Sequence, residues 1–214
     1  MKTTELLAQY ASGKRGFRGC RIERAELKSA QLNWIDLGQA ELKSADVEQA
    51  MLVGADLQSA NLEGATLQGA NLMGAVLRQS NLQGANLRGA LLYQADLRGA
   101  FLAGADLSGS ELGQADLREA DLADAKLVGA WLQRVRMSGA NLRRASFLRA
   151  RLRSADLSGA NLKQADLRNA DLRGAFMNDV TLDETVLEVA ALEGCTLIAV
   201  PSGEENGGQT DHSI

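Results

Sequence analysis

The sequence predicts an all-β solenoid, a chain of short strands and corners wound about one axis. Three observations carry that expectation. An apolar residue returns at every fifth position, without a slip, from Phe17 to Leu197. A small residue, nearly always Ala, stands two places before it. The positions between are filled largely by Asp, Asn, Gly, Gln and Ser.

The series comprises 37 pentads, with Leu at 31 of the centres and Phe, Ile, Val or Met at the other six. Ala fills 28 of the 37 small positions, and Cys20, Ile35, Ser80, Ser110, Val135, Val180, Thr185 and Cys195 are among the exceptions. No helix fits this count, because a step of five advances about 140° and scatters the leucines around every side. A long strand fails too, because an odd period changes face at each repeat. A broken strand fits: Ala points in, Asp or Asn points out, and Leu points in. The next two residues turn the chain, a task that suits Gly, Asn, Asp and Ser. Successive coils then stack at about 4.8 Å.

The elements follow in order. Residues 1–14 form an N-terminal capping helix, with Thr3 or Thr4 as N-cap, Glu5 in the first turn and Gly13 as the stop. Leu6, Leu7, Tyr10 and Ala11 give it an apolar face to seal the first coil. Residues 15–199 form the solenoid, since no insertion breaks the phase. The repeats degenerate in VTLDETVLEVAALEGCTLIAV, and Pro201 stops further pairing. Residues 200–214 are polar and Gly-rich, which predicts a disordered tail. The lone histidine, His212, lies in that tail and is expected to be inert.

NLQGANLRGALLYQADLRGA, residues 81–100, resembles the A(D/N)LxG signature of the pentapeptide-repeat family. The resemblance covers about 185 of the 214 residues. It implies a right-handed quadrilateral β-helix with four pentads per coil, and hence about nine coils in a stack roughly 43 Å long. The stretch YASGKRGFRGCRI, followed by unbroken Leu-centred pentads, resembles the cyanobacterial type that regulates heterocyst differentiation by binding a transcriptional regulator. The resemblance thus implies a non-enzymatic, regulatory protein-binding module. Other members resemble duplex DNA and inhibit or protect DNA gyrase, which is the alternative reading.

The residues themselves point the same way. There is no Cys/His pair, no metal-ligand spacing and no phosphate loop, so neither an enzyme nor a cofactor is expected. Net charge is −4, too weak to name a partner. The N-terminus has no apolar run of signal-peptide length, and no stretch approaches the ~18 apolar residues of a membrane span. A cytoplasmic protein with no membrane association is therefore expected. Cys20 and Cys195 stand about 42 Å apart in such a stack, beyond disulfide reach.

Function must then lie on the outside. Residues 20 apart share a column if four pentads make a coil. One face collects Met51, Val53, Met73, Leu91, Tyr93 and Trp131, with Trp34 at its corner, and this is the expected protein-binding surface. The segment RVRMSGANLRRASFLRARLR holds seven arginines between Arg134 and Arg153. They span a whole coil, so the expectation is a solvated belt paired to neighbouring Asp, not a nucleic-acid stripe. Arg151 and Arg153 fall on the apolar face and are expected to rim it. Another face stacks Asp36, Asp56, Asp96, Asp116 and Asp156, but Arg78, Arg98 and Arg118 line it as well. That mixed field resembles DNA poorly.

Overall fold

The computed structural model describes residues 1–22 and 25–199; the expectations for the tail at 200–214 and for His212 lie outside the described residues. Parallel bridges join each outward residue to the one 20 positions on, from Gly16↔Asp36 through Asp171↔Ala191. Four pentads therefore make one coil, and each pentad makes one side. The last sides lengthen into two strands, β1 (Phe176–Val180) and β2 (Thr196–Ala199), paired in parallel with Phe176 opposite Thr196.

Backbone hydrogen bonding explains the period of five. In the pentad centred on Leu52, Met51 N–H donates to Ala30 O of the previous coil, while Leu52 and Gly54 donate to Asn71 O and Met73 O of the next. Ala55 N–H donates to Leu52 O at 3.0 Å and closes a four-residue turn whose third residue, Gly54, has φ +64°. That is a type II turn, which needs a left-handed residue at its third position. All described corners from Gly19 to Gly194 adopt it, 15 as Gly and 20 as other residues.

The fifth amide, on the residue after the central Leu, has no backbone partner. Asp or Asn just before the Leu supplies one. Asn81 Oδ1 accepts from Gln83 N–H at 3.1 Å, and Asp121 Oδ1 accepts from Ala123 N–H at 3.2 Å. This Asx turn is the physical reason for Asp and Asn in the repeat. The interior is filled by Leu and Ala, fully buried along the middle coils. Ser80 and Ser110 replace Ala inside, and each hydroxyl donates to a carbonyl, Leu77 O and Leu107 O, at 2.7 Å.

The cap differs in detail from the expected one. Helix α1 runs Thr3–Ala11 with Lys2 at the N-cap, so neither Thr3 nor Thr4 caps it. Thr3 Oγ1 instead accepts from Glu26 N–H at 3.4 Å, tying the helix to the solenoid. Leu6 is fully buried, Leu7 and Tyr10 pack partly against the core, and Ala11 is exposed rather than part of the seal. Tyr10 donates its hydroxyl to Asn33 O at 2.9 Å. Gly13, at φ +101°, ends the helix as expected. Among the described residues, no helix is long and apolar enough to cross a membrane.

Candidate protein-binding face

The coil repeat sets the expected surface residues on one side, the side whose centres run from Leu32 to Leu192. The column just before the centres reads Gln31, Met51, Asn71, Leu91, Glu111, Trp131, Arg151 and Asp171, each bridged to the next. Apolar residues alternate with polar ones there. The column just after the centres carries Val53, Met73 and Tyr93 in three successive coils. Met51, Val53, Leu91 and Tyr93 are half-buried, while Met73 and Trp131 are exposed. Trp34, 68% exposed, stands at the corner with φ +61°. Its ring lies across the backbone of Gly54, where a Cβ would come within 2.1 Å of it.

Further along, Tyr93, Gly113, Trp131, Arg134 and Arg153 line one depression of about 500 Å³. Gly113 stands in its floor between Tyr93 and Gln133 of the neighbouring coils, and the Tyr93 ring lies over it. A second depression of about 440 Å³, lined by Arg149, Arg151 and Asp171, shares Gln133 and Arg153 with the first. The structure thus brings Tyr93, Trp131, Arg151 and Arg153 into one trough. Met51, Val53, Met73 and Leu91 lie along the same face outside it, and Trp34 lies beyond its corner. Gly113 and Gln133 belong to the trough and were not singled out from sequence, and Arg134 and Arg149 were read there only as members of a solvated belt. The available signal was the break in the Asp/Asn column, which only the Asx turn makes meaningful.

The arginine belt is paired only in part, against expectation. Arg136 pairs with Asp116, Arg144 with Asp124 and Arg153 with Asp171. Arg134, Arg143, Arg149 and Arg151 make no ion pair among the described residues. The reason at Arg151 is local: Asp171 is already engaged by Arg153 and Arg173, so Arg151 stacks on Trp131 instead, 4.3 Å from the ring centre. Such a cation–π contact contributes about 0.5–1 kcal/mol at an exposed site.

The Asp column on the neighbouring face is interleaved with cations. Asp116, 5% exposed, is held by Arg118 at 2.7 Å and Arg136 at 2.8 Å, and Arg98 lies at 3.6 Å. Asp96 binds both Arg78 and Arg98, and Arg18 reaches Asp36 and Asp56. Asp36, Asp56, Asp96 and Asp116 thus form a paired ladder, not an open row of negative charge, and Asp156 alone of the column has no ion pair among the described residues.

Comparison with known proteins places this architecture. The family profile described as pentapeptide repeats matches in eight copies, over residues that include 30–69, 40–79, 70–109, 102–139, 120–159, 130–169 and 160–197. Among solved structures, the chain is similar to HetL of the cyanobacterium Nostoc sp. strain PCC 7120, a pentapeptide repeat protein involved in heterocyst differentiation regulation. Identity is 35%, covering 91% of this chain and 96% of HetL, with a TM-score of 0.52. It is also similar in fold to a trypsin-treated form of QnrB1, a plasmid-mediated fluoroquinolone resistance protein, at 18% identity and a TM-score of 0.54. That match covers 87% of this chain and 90% of QnrB1. A search of curated proteins finds no match. With repeats matched across most of its length and a solved relative more than 30% identical, the chain belongs to the pentapeptide-repeat family.

Proposed function

We propose that this chain is a regulatory, non-enzymatic protein-binding module, wound right-handed as its family is and acting in the cytoplasm. The observation that carries this reading is the gathering of Met51, Val53, Met73, Leu91, Tyr93 and Trp131 on one side of a rod whose interior is filled. A filled rod has no internal pocket for a substrate, and Met and aromatic side chains are enriched at interfaces. The 35% identity to HetL, a protein involved in differentiation regulation, supports the regulatory part. A transcriptional regulator is the class of partner this resemblance favours. The gyrase-directed DNA mimic is the weaker reading, because Arg78, Arg98, Arg118 and Arg136 neutralise the Asp column it would need.

A paired pull-down tests the proposal. One bait is the native chain; the other carries Met51→Gln, Met73→Gln, Leu91→Ser, Tyr93→Asn and Trp131→Gln, with folding checked by circular dichroism. The expected result is one protein captured by the native bait, identified by mass spectrometry, whose purified form binds the variant at least about tenfold more weakly. Equal binding to both baits would remove this face from the account and make a gyrase supercoiling assay the next step.

A further inference from the structure

The geometry points to an acidic peptide segment as what the trough recognises, with carboxylates on its arginines and bared backbone amides and an apolar side chain between Tyr93 and Trp131. This inference rests on the protein-binding reading above and names the chemistry of the partner.

The first support is backbone. On 16 of the described sides the amide after the central residue is taken by an Asx turn. On this face the preceding residues are Leu91, Glu111, Trp131 and Arg151, none of which can form one. The amides of Tyr93, Gly113, Gln133 and Arg153 consequently have no hydrogen-bond partner among the described residues. They fall in four successive coils, about 4.8 Å apart. The capped equivalents donate to side chains on the surface, so these donors face outward as well. Elsewhere among the described residues such gaps reach only two coils, as at Val128 and Leu148.

The second support is charge. Arg134, Arg149 and Arg151 line the two joined depressions without an ion pair, and Arg153 stands between them. Against these four cations stand Glu111 and Asp171, and Asp171 is already bound by Arg153 and Arg173. A row of unpaired N–H donors beside unpaired guanidiniums is complementary to carboxylates, and charge-assisted bonds from both are the strong kind. The Tyr93 ring leans over Gly113, where a Cβ would come within 3.2 Å of it, and together with Trp131 it gives the trough two aromatic walls for an apolar side chain.

Fluorescence polarisation tests the inference with three probes: a labelled Glu/Asp-rich peptide with one central Leu, its Gln/Asn counterpart, and an oligothymidylate. The acidic peptide should bind at least about tenfold tighter than the neutral one. Arg134→Gln/Arg149→Gln/Arg151→Gln should weaken it about tenfold or more, whereas Lys2→Gln/Lys126→Gln/Arg143→Gln, which removes the same charge elsewhere, should leave it within about twofold. Glu111→Asp keeps the charge but restores an Asx turn to Gly113 N–H. It should weaken binding several-fold while the thermal midpoint holds or rises, which a merely structural effect would not do. Equal losses in the two triple variants would overturn the inference. So would tighter, steeply salt-dependent binding of the oligothymidylate. The captured partner separates the two levels of the account. If its binding falls with the apolar substitutions but not with the arginine triple, this inference fails and the protein-binding reading stands. If its binding survives both, that reading fails too.

Discussion

Asp116 condenses the residue-scale physics of the outer surface. Burial alone would raise its carboxyl, but the Arg118 hydrogen bonds and the charges of Arg136 and Arg118 outweigh that and hold it below its ordinary value. Asp96 behaves alike, with burial opposed by Arg98 and Arg78, and at Asp166 the Arg168 hydrogen bond is the leading cause of a lowered value. A carboxylate lowered by folding stabilises the fold above its unfolded value, near pH 4, and that contribution is lost as pH falls through the folded value. Urea midpoints should therefore hold from neutrality to about pH 5 and decline below about pH 4. Asp116→Asn should cost about 1–3 kcal/mol at pH 7 and make the acid decline shallower; an unchanged acid profile would count against this role. At the corners, Val189 is the poorest fit, a β-branched residue at φ +57° and 75% exposed. Val189→Gly should raise stability by about 1 kcal/mol in the same urea experiment.

The pentad is the element of this molecule, and most of it was legible in the sequence. The inward Ala and Leu and the turn after Leu follow from a period that neither helix nor strand accommodates, whereas the 20-residue coil came only from the family resemblance. What the period could not reveal was why Asp and Asn recur, because their role depends on which amide the coil-to-coil ladder leaves over. Asn81→Ala should expose that role by freeing Gln83 N–H, at a cost of about 1 kcal/mol and with faster hydrogen exchange at Gln83 alone. The cap was legible as a helix but not in its first residue, since a tertiary bond to Glu26 N–H claims the Thr3 hydroxyl. On the candidate face, the apolar column was readable by adding 20. Gly113 was not, and Arg134 and Arg149 were legible only as members of the arginine belt, because a depression depends on how neighbouring side chains pack and on which charges find no partner.

At the scale of the whole rod, each coil touches only its neighbours, so stability should vary along the axis. The first coil is sealed by Leu6, whereas the last keeps Leu182 and Leu187 only half-buried and Val186, Val189 and Leu192 exposed. Hydrogen exchange should accordingly be fastest over residues 181–199 and slowest in the middle coils, and uniform protection would contradict this gradient. The same axis arranges the outer surface, with an apolar stretch from Met51 to Tyr93 leading into the arginine-lined trough around Gly113.

The most direct test of the binding account is an amide-resolved NMR titration of the intact chain with the Glu/Asp-rich peptide. The account predicts that the Tyr93, Gly113, Gln133 and Arg153 amides shift together, while the Asx-capped amides of Gln83 and Ala123 stay in place. Shifts spread evenly over all four faces, or centred on the capped amides, would contradict it.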